Sequence, residues 1–248
     1  MRRLVHFTSL HSTNTYTKDW ASKSTPIYST AILADYQREG RGRGGNLWMA
    51  DAGKNLTVSF THPKLRLRDM EALRVHFLFA LNLFRALKPL DLDLSIKWPN
   101  DLMLGDKKIA GILSEVQHNE SGDSLLIIGL GLNVGQKDFG SLHDKATSIH
   151  QALPHALTVQ QALEIAWEAF EKTVDEASDI SLASICEDIN HHLYAKGKQA
   201  SISQGTEKTD GEVLGIHHDG RIALRKSDGT IHYLAAGNLF VSPDRPKN

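Results

Sequence analysis

Four of the six residues from Gly40 to Gly45 are glycine, with Arg41 and Arg43 between them. Glycine inside a helix costs about 1 kcal/mol relative to alanine, and it offers a strand no side chain to pack. The run is therefore a loop. It is flanked by two apolar, β-prone stretches, Thr30 to Tyr36 and Asn55 to His62, so any fold must seat it between two strands. Consecutive glycines let backbone approach a ligand and turn N–H groups toward an anion. The two arginines add rigid cationic forks suited to phosphate or carboxylate. The letters also satisfy G-x-G-x-x-G, but that fingerprint must open a helix. Here Asn46 to Asn55 includes Asp51 and Gly53 and leads to another strand, and no Walker A pattern occurs. Two plainer readings stand beside anion binding: a surface turn, and an RGG-like contact to RNA.

Patterning supplies the surrounding elements. Leu4 to Phe7 reads as a short strand, and His11 to Asn14 as the start of a helix reaching about Ser22. Over 69–88 the apolar positions Leu73, Phe77, Ala80, Leu81, Phe84 and Leu87 mark one helix face, with Pro89 as a stop. Leu92 to Trp98, Leu102 to Leu104, Lys108 to Gln117 and Ser124 to Val134 read as strands, with turns at Gly105-Asp106 and Ser121-Gly122-Asp123. The stretch 135–157 reads as loop. Thr158 and Gln161 form a capping box for a helix facing inward through Leu163, Trp167, Phe170 and Val174. A second helix, about 182–195, buries Ile185, Ile189 and Leu193 and ends near Gly197. Beyond it, short β-like pieces alternate with Gly205, Asp210-Gly211, Asp219-Gly220, Asp228-Gly229 and Gly237, the punctuation of hairpins. These define two units: 1–195, and a small five-stranded barrel over 196–248.

Composition excludes several classes. No apolar run approaches the roughly 18 residues of a membrane helix, and the N-terminal residues lack a signal-peptide core. A net charge of −1 argues against a nucleic-acid surface. One cysteine, Cys186, allows no disulfide framework, and cytoplasm is the expected compartment. The histidines, including His191-His192 and His217-His218, carry no metal-ligand spacing.

A second motif, Lys97-Trp98-Pro99-Asn100-Asp101-Leu102, precedes Lys108-Ile109-Ala110-Gly111-Ile112-Leu113-Ser114-Glu115. A Trp-Pro break in a β region leaves regular pairing and exposes Asn100 and Asp101 beside Lys97. Taken alone, this is a turn with a solvated Lys–Asp pair. Together with the glycine loop through Trp48, with Ser12-Thr13-Asn14, Gln37 and Gly129-Leu130-Gly131-Leu132-Asn133-Val134, it resembles the biotin–protein ligase family, whose hallmarks are GRGRxGxxW, KWPNDL and KxxGILxE. The sequence departs from that pattern at Gly44 and at Gly45-Asn46, where many members carry a further arginine on each side of the second conserved glycine. Nothing ahead of Ser12 resembles the DNA-binding unit of repressor-type members, so the likeness is to the monofunctional form, without DNA binding or other nucleic-acid partners.

The resemblance implies an α+β fold: a mixed, largely antiparallel sheet covered by helices, like the catalytic domain of class II synthetases, followed by an SH3-like barrel. It implies activation of biotin by ATP, with Mg²⁺ carried on the ATP phosphates, to give biotinyl-5′-adenylate. A lysine on the biotin carrier domain of a biotin-dependent carboxylase is then acylated. It further implies Lys108, Arg43 and Asp101 as catalytic residues. Biotin would be held by Ser12, Thr13, Asn14, Gln37, Gly40, Arg41, Gly42, Arg43, Lys108 and Gly111. ATP would be held by Arg41, Arg43, Trp48, Lys97, Asn100, Lys108 and Asn133. Each has a plainer role too: helix capping for Ser12 to Asn14, core packing for Trp48. Two rival functions are a lipoate–protein ligase and a non-catalytic nucleotide- or RNA-binding protein. The oligomeric state stays open between monomer and homodimer.

Overall fold

The computed structural model describes residues 1–24, 26–65, 69–118 and 124–241. The expected turn at Ser121 to Asp123 lies outside them. Strands that are buried along most of their length hold the middle of the larger sheet: β2 (Ser29–Gln37), β3 (Leu56–Thr61) and β7 (Ser124–Leu132). Around them lie β1 (Arg2–Leu10), β4 (Leu94–Lys97), β5 (Asp101–Leu104) and β6 (Lys107–His118). The seven run in the order β1-β2-β3-β7-β6-β5-β4. β1 and β2 pair in parallel across the helix α1 (Thr13–Lys23), and every other neighbour pair is antiparallel. The sheet is thus mixed and mostly antiparallel, as expected. β1 is longer than the anticipated Leu4 to Phe7, because pairing with β2 extends from Arg2 to Leu10.

α1 covers one face, where Ala21 and Trp20 meet Leu125 and Ile127. On the other face lie α2 (Asp69–Leu87) and α4 (Val159–Glu176), packed on each other. The Phe60 and Phe170 rings stack at 5.0 Å, and Trp167 meets Phe60 edge-on. α4 begins with the expected capping box: Thr158 Oγ1 accepts from Gln161 N–H at 3.2 Å, and Gln161 Oε1 accepts from Thr158 N–H at 2.8 Å.

Two element expectations need correction. The stretch 135–157 is not all loop. Ser148 precedes a one-turn helix, α3 (Ile149–Ala152), whose Ile149 is buried. The helix expected over 182–195 stops at Asn190 (α5, Leu182–Asn190). Leu193 is buried as anticipated, but through a bridge to Ile96 on β4.

Five strands follow: β8 (Gln199–Gln204), β9 (Glu207–Ile216), β10 (Ile222–Arg225), β11 (Ile231–Leu234) and β12 (Asn238–Val241). They form one antiparallel sheet in the order β11-β10-β9-β8-β12. The strand number is as expected, but the expected barrel is not closed. Among the described residues no pairing joins β11 to β12. This sheet packs against the first part of the chain. Trp98 Nε1 donates to Gly220 O at 3.1 Å, and Asn190 exchanges two hydrogen bonds with the Ile216 backbone, at 2.8 and 2.7 Å. Ala200, Ile202 and Val213 belong to the same apolar cluster as Leu87 and Ile185.

Candidate active site

The glycine loop leaves the end of β2 and returns as a miniature hairpin. Trp48 N–H donates to Gly40 O at 2.8 Å and Gly42 N–H to Asn46 O at 2.7 Å, while Arg41 and Leu47 form an antiparallel bridge. Gly44 and Gly45 stand at φ 61° and 80°, a region costly for residues with a Cβ. A Cβ on Gly40 would collide with the Trp48 carbonyl. The short hairpin aims Arg41 and Arg43 at the sheet and lays Trp48 across it. The indole rests on Gly131 of β7 and Gly111 of β6, where a methyl at Gly131 would occupy the space of its ring.

Arg41, Arg43 and Lys108 line one cavity of about 140 Å³. Arg41 Nη2 lies 2.8 Å from Glu115 Oε1, Arg43 Nη1 donates to Asn100 Oδ1 at 3.2 Å, and Lys108 Nζ lies 2.6 Å from Asp101 Oδ1. Lys108 also sits 5.5 Å from the Trp48 ring centre. Burial lowers the pKa of the Arg43 guanidinium, partly opposed by the Asp101 charge. Even so, an arginine stays protonated in any ordinary solution. Cations converging on one small space let two anions share it, since the repulsion of a carboxylate and a phosphate is offset where charge develops.

On the α1 side the cavity is lined by neutral polar side chains, with Arg41 beside them, its Nη1 3.3 Å from Thr15 Oγ1. Ser12 caps α1, its Oγ 3.5 Å from Thr15 N. Gln37 Oε1 accepts from Thr13 N–H at 2.7 Å and from the Thr13 hydroxyl at 3.1 Å. Asn14 Nδ2 donates to Leu113 O at 3.0 Å and to Glu115 Oε2 at 2.9 Å. Gly129 leaves the room that the Asn14 amide fills. Ser12, Thr13, Asn14, Gln37, Gly42, Trp48, Asn100, Asp101 and Gly111 all line this cavity with the three cations.

Three anticipated residues do not line it. Gly40 borders an adjacent cavity with Gln37 and Trp48. Asn133 is buried, its Nδ2 donating to Thr147 O at 3.0 Å. Lys97 lies across the β4–β5 ladder from Asp101, its ammonium 5.9 Å from the ring centres of both Tyr194 and Phe240. Burial lowers its pKa, with Asp101 acting in the opposite sense. Among the described residues, no group of three or more His, Cys, Asp or Glu side chains could hold a metal ion, and no helix is long and apolar enough to cross a membrane.

Three contributors escaped the sequence reading. Glu115 is a hub: burial alone would raise its pKa, but hydrogen bonds from Asn14, Arg41 and Lys18 outweigh that and hold its carboxyl below the usual range. It lay inside a recognised motif without a role. Ser59 Oγ stands 2.8 Å from Thr13 Oγ1 and 2.5 Å from Asn14 Oδ1, and nothing in the sequence singled it out. His76 carried a signal: it is a polar residue at i+3 from Leu73 on the apolar face of α2.

A mixed sheet carrying a glycine–arginine hairpin, with three cations and several neutral polar side chains lining one cavity, is an arrangement that can hold two anionic groups together, as ligases that activate carboxylates must. The model of the biotin/lipoate A/B protein ligase family matches residues 6–133, and the chain belongs to that family. The bifunctional ligase/repressor BirA of Bacillus subtilis is 28% identical over 235 residues, covering 92% of this chain and 71% of that protein. The biotin–[acetyl-CoA-carboxylase] ligase of Paracoccus denitrificans is 29% identical over 208 residues, covering 81% and 86%. In fold, the chain is similar to the biotin protein ligase from Aquifex aeolicus solved with biotin and ATP: TM-score 0.81, 23% identity, 98% of this chain and 99% of that one.

Proposed function

We propose that this chain is a biotin–protein ligase working through biotinyl-5′-adenylate, and that its acceptor is a lysine on the biotin carrier domain of a biotin-dependent carboxylase. The observation that carries this reading is the convergence of Arg41, Arg43 and Lys108 on one cavity that Thr13, Asn14 and Gln37 also line. A ureido ring needs paired donors and acceptors, which these side chains supply. The dithiolane of lipoate has no such groups, which disfavours the lipoate alternative.

In the first step a biotin carboxylate oxygen bonds to the α-phosphorus of ATP, and the bond from that phosphorus to the bridging oxygen breaks to release pyrophosphate. Lys108 and Arg43 offset the meeting charges. Trp48, on its glycine floor, gives adenine a surface to stack on. With few acidic groups near the cavity, Mg²⁺ would be held mainly by ATP phosphates and water, where it neutralises charge on the leaving pyrophosphate. In the second step the carrier amine attacks the biotinyl carbonyl, the bond from that carbon to the anhydride oxygen breaks, AMP leaves with its electron pair, and the nitrogen gives up its proton to solvent. Asp101 holds Lys108 and, once that ammonium turns to phosphate, is free to orient the incoming lysine. Between the two steps the hairpin keeps water from the anhydride. The free, buried Cys186 suits a cytoplasmic setting.

The test incubates the purified chain with labelled ATP and either biotin or lipoate. Biotinyl-adenylate should form and lipoyl-adenylate should not, and the reverse result would overturn the substrate assignment. Arg43→Gly should keep the fold but release adenylate into solution on the order of 10²-fold faster without carrier. Unchanged release would remove Arg43 from the mechanism.

A further inference from the structure

His76 points from α2 into the site from the side opposite α1. It is only 8% exposed, and it is held at both ring nitrogens. Nε2 lies 3.0 Å from the carbonyl of Pro99, and Nδ1 lies 2.8 Å from Ser114 Oγ. A carbonyl can only accept, so Nε2 carries the proton and Nδ1 accepts from the Ser114 hydroxyl. The next residue, Asn100, is clamped to β6 in both directions: its carbonyl accepts from Ile112 N–H at 2.8 Å, and its Nδ2 donates to Ile112 O at 3.1 Å. That leaves Asn100 Oδ1 as the acceptor for Arg43. His76 and Arg43 line the same apolar-walled cavity of about 530 Å³ beside the smaller one.

We propose that His76 is a positioning residue for adenylate formation: by gripping the Pro99 carbonyl it sets Asn100, and Asn100 sets Arg43 of the glycine loop. This rests on the adenylation reading above. The chain of contacts runs from α2 through Pro99 and Asn100 to the guanidinium, and Thr13, Asn14 and Gln37, assigned to the biotin ring, make their hydrogen bonds with other residues. Loss of His76 should therefore disturb the phosphate end of the site and leave the ring end alone. Glutamine, whose Nε2 can donate to the same carbonyl, should substitute in part.

The test compares His76→Ala, His76→Gln, Arg43→Ala and the double variant His76→Ala/Arg43→Ala. Measured quantities are the first-turnover rate of pyrophosphate formation with biotin and ATP, biotin affinity, and thermal midpoint. His76→Ala should lower that first-turnover rate about tenfold with biotin Kd changed less than about twofold. His76→Gln should recover most of that loss, and the double variant should be no slower than Arg43→Ala alone. If the two losses instead multiply, or if biotin Kd weakens while the first-turnover rate holds, His76 does not act through Arg43. Should His76→Ala fail to fold, His76→Leu, which fills the volume but cannot donate to the Pro99 carbonyl, decides the same question: its loss must vanish beside Arg43→Ala, and full activity in His76→Leu alone overturns the proposal. A wild-type chain that forms no adenylate would overturn the site reading itself. An active wild type with multiplying losses would overturn only the role of His76.

Discussion

A single buried imidazole shows how a residue's surroundings set its charge. Burial is the main cause that pushes the His76 pKa down to about 4, with the Arg43 charge acting in the same direction and the Pro99 hydrogen bond and Asp101 opposing it. Its folded value lies below the ordinary histidine value of 6.5, so the fold prefers the neutral ring. The unfolded chain binds the extra proton between those values, and stability therefore falls as pH drops through that window. The contribution is whole above the unfolded value and is lost toward the folded one. Between about pH 7 and about pH 5 the wild type should lose about 2 kcal/mol more than His76→Gln, as read from urea midpoints. Equal losses would mean that His76 is already solvated. Cys186 follows the same rule with opposite consequence: burial drives its thiol up to about 11, which keeps it protonated and unreactive.

At the scale of elements, β6 and β7 matter for what they lack. Gly111, Gly129 and Gly131 lie on the face covered by α1 and the loop, so the sheet is bare where Trp48 and the Asn14 amide must lie. A strand normally loses stability with glycine in its interior. Here that loss is accepted at the cavity floor. Gly131→Ala should lift Trp48 off the sheet and raise the KM for ATP about tenfold, while the unfolding midpoint changes little, since alanine fits the strand backbone. A kinetic titration with ATP checks this, and an unaltered KM would separate Trp48 from nucleotide binding. The two glycine-bearing strands, the capping box of α4 and the stop of α2 were legible from spacing alone. The end of α5 was not. Leu193 continues the apolar period of that helix, but its burial comes from a bridge to β4, and periodicity cannot tell those two sources apart.

For the whole molecule, the question is whether residues 196–248 form a unit of their own. We keep the boundary near Lys196 as a proposal about chain organisation. Trp98 and Asn190 reach into the second sheet, and one apolar cluster spans both parts. Asn238 of β12 lines the cavity that holds Arg43 and Lys108, so the second sheet also completes the site. Calorimetry should accordingly show a single cooperative transition for the full chain, because opening one part exposes the core of the other. Two resolved transitions would mark independently folding units.

The chain's letters by themselves determined the loop, the alternation of strands and helices, and the family, because glycine's freedom, apolar period and motif order are properties of neighbouring residues. They also named most of the side chains that meet at the cavity. Only the tertiary structure decided which of those side chains hold one another. Asn14 meets Glu115 across 101 positions and His76 meets Ser114 across 38. A hydrogen bond between distant segments leaves no periodic trace in either. The same holds for Asn133 and Lys97, whose motifs suggested the cavity wall. Packing placed the first in the interior, where Nδ2 reaches Thr147 O, and the second near two rings, because the backbone path of distant segments sets what each side chain can reach.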